Sequence, residues 1–200
     1  VKIAEFEYNL ELTRELFPGI DLNYSKPLLR FKDAKKIYDV FRVNNDIEKE
    51  IVAFHVGFGG SSDANWNLDE YETLIRKVLS KNEYQVALTF GPDETDLYSE
   101  MQNRLLDQNV IFYLSLDGVV YFAKLISRFK LFVSTSTGTY HLASLVGCPT
   151  MTFFGDSLFA SSKRWKGVGD EKKQTHFMLP IDKVKRAEIF DEVAEKLSSL

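Results

Sequence analysis

The stretch of sequence that decides the fold is residues 131–155, which read LFVSTSTGTYHLASLVGCPTMTFFG. It begins with an apolar run at Leu131–Val133 that is typical of a buried β-strand, and hydroxyl side chains and a glycine follow. A short helix is predicted at about Thr139–Val146, because Gly147 is the residue type that ends a helix in the left-handed conformation. A second apolar strand is predicted at Thr150–Phe154. This order of strand, helix and strand predicts two parallel strands.

The same alternation precedes this stretch. Three more strands are predicted from short apolar runs, at Ile51–Val56, Tyr84–Phe90 and Val110–Leu114. A helical pattern follows each of them, and the third of these helices is predicted to begin at Ser115. A last helix is predicted at about Asp182–Leu197, whereas residues 156–175 are predicted to form a loop with one helical turn. The pattern indicates an α/β fold, a Rossmann-like parallel sheet with helices on both faces.

The helix after the first strand has the clearest start. Asn67 is a good N-cap residue and Glu70 stands three residues later, which is the pattern of a capping box. Trp66 and Tyr71 flank this pair at the positions of a hydrophobic staple. A helix is therefore predicted to begin directly after Asn67.

Residues 1–50 carry weaker patterns. Helical spacing predicts one helix that ends before Pro18 and a shorter one around residues 33–41. The chain opens at Val1 directly on a helical pattern, which is typical of a fragment or an excised domain. We therefore expect residues 1–50 to be leading helices or a linker from a missing amino-terminal domain, and residues 51–200 to form the Rossmann-like domain.

The composition is that of an ordinary globular chain, with 44% hydrophobic and 27% charged residues. No apolar run reaches the length of about 18 residues that a membrane-spanning helix needs. The net charge of −4 gives no basic surface for nucleic acid, so no nucleic-acid partner is predicted. The single cysteine, Cys148, cannot form an internal disulfide, which is typical of a reducing compartment, and a cytoplasmic location is predicted.

Two junctions between a strand and the next helix have residue types that can hold an anion. At residues 57–62, GFGGSS, glycines allow close backbone approach and serines can donate, although a flexible turn has the same pattern. At residues 134–139, STSTGT, the hydroxyl of Ser136 or Thr137 can cap the helix, and the remaining N–H and hydroxyl groups can receive a diphosphate. Such residues are also ordinary helix caps, and His141 fits either phosphate binding or packing.

Several segments resemble the signature of the lipopolysaccharide heptosyltransferase family, which contains Ser-x-Asp-Thr-Gly-x-x-His-Leu-Ala. The matching segments, in chain order, are His55-Val56-Gly57 with Trp66 and Tyr71, residues 88–94 (LTFGPDE), residues 134–143 (STSTGTYHLA), Gly-Cys-Pro at 147–149, Phe-Phe-Gly at 153–155 and Arg164-Trp165. The resemblance covers about residues 51–166 and adds a functional expectation to the predicted fold.

The resemblance implies one half of a GT-B glycosyltransferase, namely the carboxyl-terminal domain that binds a nucleotide diphosphate sugar. An ADP-sugar with a heptose-like sugar is the implied donor, and lipopolysaccharide or another glycan or lipid-linked molecule is the implied acceptor. The expected transfer is inverting and metal-independent and needs no cofactor, and the sequence has no Asp-x-Asp metal motif. The catalytic base is not identifiable in this chain, which is consistent with a base on a missing amino-terminal domain. Peripheral association with a membrane is also expected.

The resemblance assigns three groups of residues to the donor. The group implied to bind the diphosphate is Thr137, Gly138, Thr139 and His141, with a loop of Gly59, Gly60 and Ser61 that closes over it. The group implied to bind the ribose and the base is Glu94 or its neighbour Asp93, and Leu114. The donor sugar is implied to contact Ser136. Glu94 also fits a simpler interpretation, an acid in the first turn of a helix.

Two departures from the family's pattern keep other interpretations open. Ser136 replaces an aspartate that contacts the sugar, and Ala64 and Asn65 stand where a phosphate-binding lysine is expected. Three basic residues either supply the missing charge or form a solvated stretch: Lys163, Arg164 and Lys166. A catalytically silent nucleotide-sugar-binding or partner domain is therefore the second hypothesis. A sugar-nucleotide epimerase is the third, and an oxidoreductase depends on the glycine loop alone.

Overall fold

Six short strands form one parallel sheet in the computed structural model, which describes residues 3–57 and 64–200. The strands are β1 (Ile51–His55), β2 (Gln85–Phe90), β3 (Val110–Leu114), β4 (Leu131–Thr135), β5 (Thr150–Gly155) and β6 (Gln174–Leu179). Their order across the sheet is β3-β2-β1-β4-β5-β6, and every neighbouring pair is parallel. The predicted α/β fold with a parallel sheet is confirmed.

Helices cover both faces of the sheet. The helices are α1 (Glu5–Leu16), α2 (Ala34–Asn44), α3 (Leu68–Ser80), α4 (Thr95–Arg104), α5 (Val119–Ile126), α6 (Gly138–Leu145), α7 (Ser162–Trp165) and α8 (Lys183–Ser198), with a 3₁₀ turn at Glu171–Lys173. One core lies between the sheet and helices α3, α4 and α8, and the other lies between the sheet and helices α2, α5 and α6. Both faces of the central strands are therefore buried, which explains their almost continuous apolar sequences.

Helix α3 begins where the capping box predicts. Asn67 Oδ1 accepts the N–H of Glu70 at 2.9 Å, and Glu70 Oε2 accepts the N–H of Asn67 at 2.7 Å. The two staple residues, Trp66 and Tyr71, are buried. Each bond satisfies a backbone donor that the helix itself leaves unpaired, so the local sequence alone sets this boundary.

Two predicted boundaries were wrong. Ser115 was expected to begin a helix, but its N–H donates to the carbonyl oxygen of Phe90 and extends the ladder of β2 and β3, so α5 begins only after Gly118. The segment 156–175 was expected to be a loop with one helical turn; α7 provides the turn, but β6 begins at the end of the segment. This edge strand starts with the polar residues Gln174, Thr175 and His176, and its half-buried pattern lacks the apolar run of the other strands.

Chain connectivity reverses direction at the centre of the sheet, between β1 and β4. From β1 the strands run outward through β2 to β3, and from β4 they run outward through β5 to β6. Such a reversal places a crevice beyond the carboxyl ends of these two strands, where ligands of such folds bind. No helix in the described residues is long and apolar enough to cross a membrane.

Candidate functional site

The amino end of α6 lies at this crevice, directly after β4. Thr137 occupies the N-cap position, but no side chain of the described residues caps the helix. The Thr137 hydroxyl instead pairs with the Thr139 hydroxyl at 2.8 Å, so the prediction that Ser136 or Thr137 caps α6 was wrong. Uncapped N–H groups and the positive end of the helix dipole together make a site for an anion.

Two cavities meet at this helix end. The larger, of about 630 Å³, has the polar lining residues His55, Glu94 and Ser115, and the rest of its wall includes Phe90, Val119, Phe122, Leu142 and Leu145. The smaller, of about 330 Å³, is lined by Ser136, Phe159, Ala160 and Trp165. Thr137, Gly138 and His141 line both. An extended ligand could therefore fill both cavities and place its middle at the amino end of α6.

Glu94 projects into the larger cavity. Its carboxylate accepts the N–H of Gly91 at 2.7 Å instead of capping α4, whose N-cap position it occupies. The carboxylate lies so close to the backbone of Gly57 that a Cβ at Gly57 would overlap it. Its neighbour Asp93 is exposed and lies on a different cavity, so only Glu94 of the predicted pair faces α6.

Of the four remaining predicted donor residues, the structure describes one. Leu114 packs against the apolar core beside α4, and the next residue, Ser115, lines the cavity in its place. Gly59, Gly60 and Ser61 lie outside the described residues.

His55 is a site residue whose geometry the sequence did not single out. Its side chain is buried, with 5% of the residue exposed, and it lines the larger cavity. Nδ1 lies 2.9 Å from the carbonyl oxygen of Thr89, and Nε2 lies 3.9 Å from Glu94 Oε2. The earlier signals were its place in the segment His55-Val56-Gly57 of the family resemblance and at the carboxyl end of the first strand.

Two side chains of helix α6, Tyr140 and Ser144, bind the loop that follows α7. The Tyr140 hydroxyl accepts the N–H of Gly167 at 2.6 Å and donates to Gln174 Oε1 at 2.7 Å. Ser144 Oγ accepts the N–H of Gly169 at 2.8 Å. Burial raises the pKa of the Tyr140 hydroxyl, so this group stays protonated and keeps its bond to Gln174. The loop after α7 therefore fixes the position of the helix whose other end faces the cavities.

The basic residues after β5 are paired with acids. Arg164 Nε donates to Glu5 Oε2 at 3.0 Å, and Lys166 Nζ lies 3.1 Å from Glu7 Oε1 and 2.6 Å from Glu171 Oε1. These two residues are therefore not an unpaired solvated stretch, because their charges are paired with acids of α1 and of the 3₁₀ turn. Their contribution of positive charge to a bound anion stays a prediction. Lys163 is exposed.

The residues at the expected lysine position have structural roles. Asn65 Oδ1 accepts the N–H of Trp66 at 3.1 Å and the Tyr71 hydroxyl at 2.6 Å, and its Nδ2 donates to the Val56 carbonyl at 3.1 Å. Ala64 is buried. Neither side chain brings a positive charge to the crevice.

The three histidines predict how stability depends on pH. Burial is the largest cause that lowers the pKa of His55, His141 and His176 from the ordinary 6.5. A cation is therefore disfavoured in the folded state, and below about pH 6.5 the unfolded chain binds more protons. We expect the free energy of unfolding to be greatest above this pH and to fall as the pH decreases through the folded-state pKa values.

Urea unfolding at about pH 7.5, 6.5 and 5.5 measures this dependence. His141→Gln should reduce the slope, because it removes one of the three groups. Asp107 affects stability in a separate pH range. A hydrogen bond from Arg76 lowers the pKa of Asp107 to about 2, so its contribution to the free energy of unfolding is lost only below about pH 4. An unfolding free energy that stays constant from about pH 7.5 to 5.5 would contradict the expectation.

Known proteins match the chain over most of its length. The sequence model of a family described as "Glycosyltransferase family 9 (heptosyltransferase)" matches residues 4–194. A Haemophilus influenzae protein provisionally named a glycosyltransferase is 32% identical over 187 residues, which cover 90% of this chain and 54% of that protein. Escherichia coli lipopolysaccharide heptosyltransferase 1 is 27% identical over 154 residues, which cover 76% of this chain and 46% of that protein.

The chain thus spans about half the length of the curated relatives that it matches. Among solved structures, an Escherichia coli heptosyltransferase with ADP has the same fold, with a TM-score of 0.64 and 21% sequence identity. That match covers 98% of this chain and 58% of the other. The two structures therefore share the arrangement of strands and helices around the crevice.

Proposed function

Since the chain belongs to glycosyltransferase family 9, we propose that it is the donor-binding part of a glycosyltransferase and holds a nucleotide diphosphate sugar at the amino end of α6. The observation that carries this proposal is the uncapped end of α6 between two cavities. A nucleotide diphosphate sugar has a matching order of parts, because its diphosphate lies between a nucleoside and a sugar. The helix end would receive the diphosphate, and one cavity would receive each of the other two parts.

In this arrangement the diphosphate contacts Thr137, Gly138 and Thr139, and His141 lies on the same helix one turn later. The loop of Gly59, Gly60 and Ser61 is proposed to close over it. The nucleoside enters the larger cavity, whose apolar wall suits the face of a base and whose Glu94 carboxylate suits a ribose hydroxyl. The base wall includes Val119, Phe122 and Leu142. Leu114, the other residue proposed for the base, packs in the core beside α4, directly before Ser115. ADP is the proposed nucleotide, because the structural relative described above was solved with ADP.

The smaller cavity is the proposed place of the sugar. Ser136 lines it, and Phe159 and Trp165 provide aromatic wall. A heptose-like sugar is proposed from the family, with lipopolysaccharide or another glycan as the acceptor and a peripheral association with the membrane that carries a lipid-linked acceptor. Because Ser136 is neutral, the sugar would be held by hydroxyl and aromatic contacts in this chain.

The chemistry that this site supports is departure of the diphosphate in an inverting transfer without a metal. As the bond between the sugar and the phosphate breaks, negative charge grows on the diphosphate, and the N–H groups and dipole at the amino end of α6 stabilise it. The acceptor hydroxyl must lose a proton in the same step. We propose that the base lies in an amino-terminal half of a longer protein, and that residues 1–50 lead in from that half to the donor domain of residues 51–200, with α2 packed on its sheet.

A silent nucleotide-sugar-binding domain is the second candidate. The observations that favour it are the neutral Ser136 and the engagement of Asn65 in bonds within the protein, which leave the donor with fewer charged contacts. Calorimetric titration of the full-length protein with ADP, UDP and GDP, followed by an assay of the same protein for ADP release from an ADP-sugar, separates the two candidates. ADP binding with release on addition of acceptor supports the transferase, whereas binding without release to any acceptor supports the silent domain. Absence of binding to all three nucleotides would overturn both.

Gly57→Ala tests the proposed role of Glu94. The new methyl group would overlap the Glu94 carboxylate, which must then leave its bond to the Gly91 N–H. A hydrogen bond to a charged group contributes about 1.5–3 kcal/mol, so we expect the affinity for ADP to fall about tenfold or more. Titration calorimetry with ADP measures the change.

The control for this prediction is the same substitution made together with Glu94→Ala. If Gly57 acts through Glu94, the double variant should bind ADP as weakly as Glu94→Ala alone, because no carboxylate remains to be displaced. An additional loss in the double variant of the same size as in the single variant would show that Gly57 acts by another route.

A further inference from the structure

His55 presents an unused hydrogen-bond acceptor to the larger cavity. A carbonyl oxygen can only accept, so the 2.9 Å contact with Thr89 places the ring proton on Nδ1. The other nitrogen, Nε2, then carries a lone pair, and among the described residues no donor lies within hydrogen-bond distance of it. The nearest charged group, the Glu94 carboxylate at 3.9 Å, is also an acceptor. Burial lowers the pKa of His55 and favours this neutral state.

The position of both acceptors is fixed by the fold. The His55 ring stacks on Phe132, with ring centres 6.4 Å apart and planes at 22°, and Thr89 holds its Nδ1. The Glu94 carboxylate is held by the Gly91 N–H, and the absence of a side chain on Gly57 leaves it room. Both acceptors face the cavity, so this pair is suited to a ligand that brings two donors close together.

We propose that His55 is a second ribose-binding residue, whose Nε2 accepts one hydroxyl of the ribose diol while Glu94 accepts the other. The inference rests on the proposed function, because it assumes a nucleoside in this cavity. The two hydroxyl oxygens of the diol lie closer together than His55 Nε2 and Glu94 Oε2, which are 3.9 Å apart. Each hydroxyl can therefore donate to a different acceptor. The pair would thus select ribonucleotides and reject analogues that lack a hydroxyl.

Two substitutions distinguish the roles of the two ring nitrogens of His55. Asparagine places its amide near Nδ1, so His55→Asn keeps a donor for Thr89 and removes the acceptor in the cavity. Glutamine reaches the position of Nε2, so His55→Gln keeps an acceptor there and is the matched control. Thermal unfolding of both variants establishes that they are folded before any titration.

Calorimetric titration with ADP, 2′-deoxy-ADP and 3′-deoxy-ADP is the test. The unmodified protein should bind each deoxy analogue about tenfold more weakly than ADP. In His55→Asn the penalty for one of the two analogues should disappear, and in His55→Gln it should remain. Glu94→Gln should remove or reduce the penalty for the other analogue.

The outcomes distinguish this inference from the proposed function. Failure of the unmodified protein to bind ADP overturns the proposed function and the inference with it. Binding of ADP with both deoxy penalties unchanged in His55→Asn overturns the inference alone. IDP, which lacks the amino group of the base, provides the last arm: if His55→Asn removes a penalty for IDP and leaves the ribose penalties intact, His55 faces the base and the ribose assignment is wrong.

Discussion

Gly138→Ala should remove most of the affinity for ADP while leaving the stability of the protein unchanged. A Cβ at Gly138 would meet no atom within 4 Å, so the backbone can accept alanine without strain. The open space is the point where the two cavities meet, and there the proposed diphosphate must approach the backbone. A methyl group in that path should cost about 2 kcal/mol, which corresponds to about a thirtyfold loss of affinity.

Titration with ADP and with adenosine measures the change in affinity, and urea unfolding measures the change in stability. Adenosine has no diphosphate, so its binding in the larger cavity should be unaffected by the substitution. The free energy of unfolding should stay the same or rise slightly, because alanine restricts the unfolded chain more than glycine does. Equal affinities of Gly138→Ala and the unmodified protein for ADP would place the diphosphate elsewhere.

Gly169→Ala should have the opposite effect, a large loss of stability. A Cβ at Gly169 would overlap both the carbonyl oxygen and the hydroxyl of Ser144. The carbonyl belongs to the backbone of α6 and cannot move alone, so the loop must separate from the helix and lose the 2.8 Å bond from the Gly169 N–H. We expect a loss of about 3 kcal/mol from overpacking and the broken bond, and a decrease in melting temperature of about 6–12 °C.

Gly138→Ala is the matched control for this second experiment, because it makes the same chemical change at the other end of α6. Ser144→Ala made together with Gly169→Ala should restore only part of the loss, since it removes the hydroxyl and leaves the carbonyl oxygen in place. Differential scanning calorimetry of the four proteins gives the comparison. A melting temperature unchanged by Gly169→Ala would mean that the loop does not hold α6.

The sequence predicted the fold well where local patterns carry the information. The capping box at Asn67 and the left-handed Gly147, whose φ is 76°, both lie where they were predicted, because each depends only on nearby residues. The start of α5 was wrong because a bond between Ser115 and Phe90 extends the strand ladder, and that pairing joins residues distant in sequence. Strand β6 was missed because an edge strand needs apolar residues on one face only.

The part of the candidate site that depends on neighbouring residues was also predicted. The residues at the amino end of α6 follow one another in sequence, so the pattern of hydroxyls and glycine revealed them. The acceptor pair of His55 and Glu94 joins residues from β1 and α4, and only the folded sheet places them 3.9 Å apart. The pairing of Arg164 with Glu5 spans almost the whole chain, and no local pattern predicts it.

The strand order separates one proposed part of the site from the others. The aromatic wall of the sugar cavity follows β5, whereas the proposed diphosphate contacts follow β4, and the proposed nucleoside contacts come from the ends of β1 and β2 and from helices α5 and α6. A mutation in the loop after β5 can therefore exchange one donor sugar for another without disturbing the nucleotide. Under the proposed function, an engineer who seeks a new donor specificity should therefore randomise residues 156–161 first.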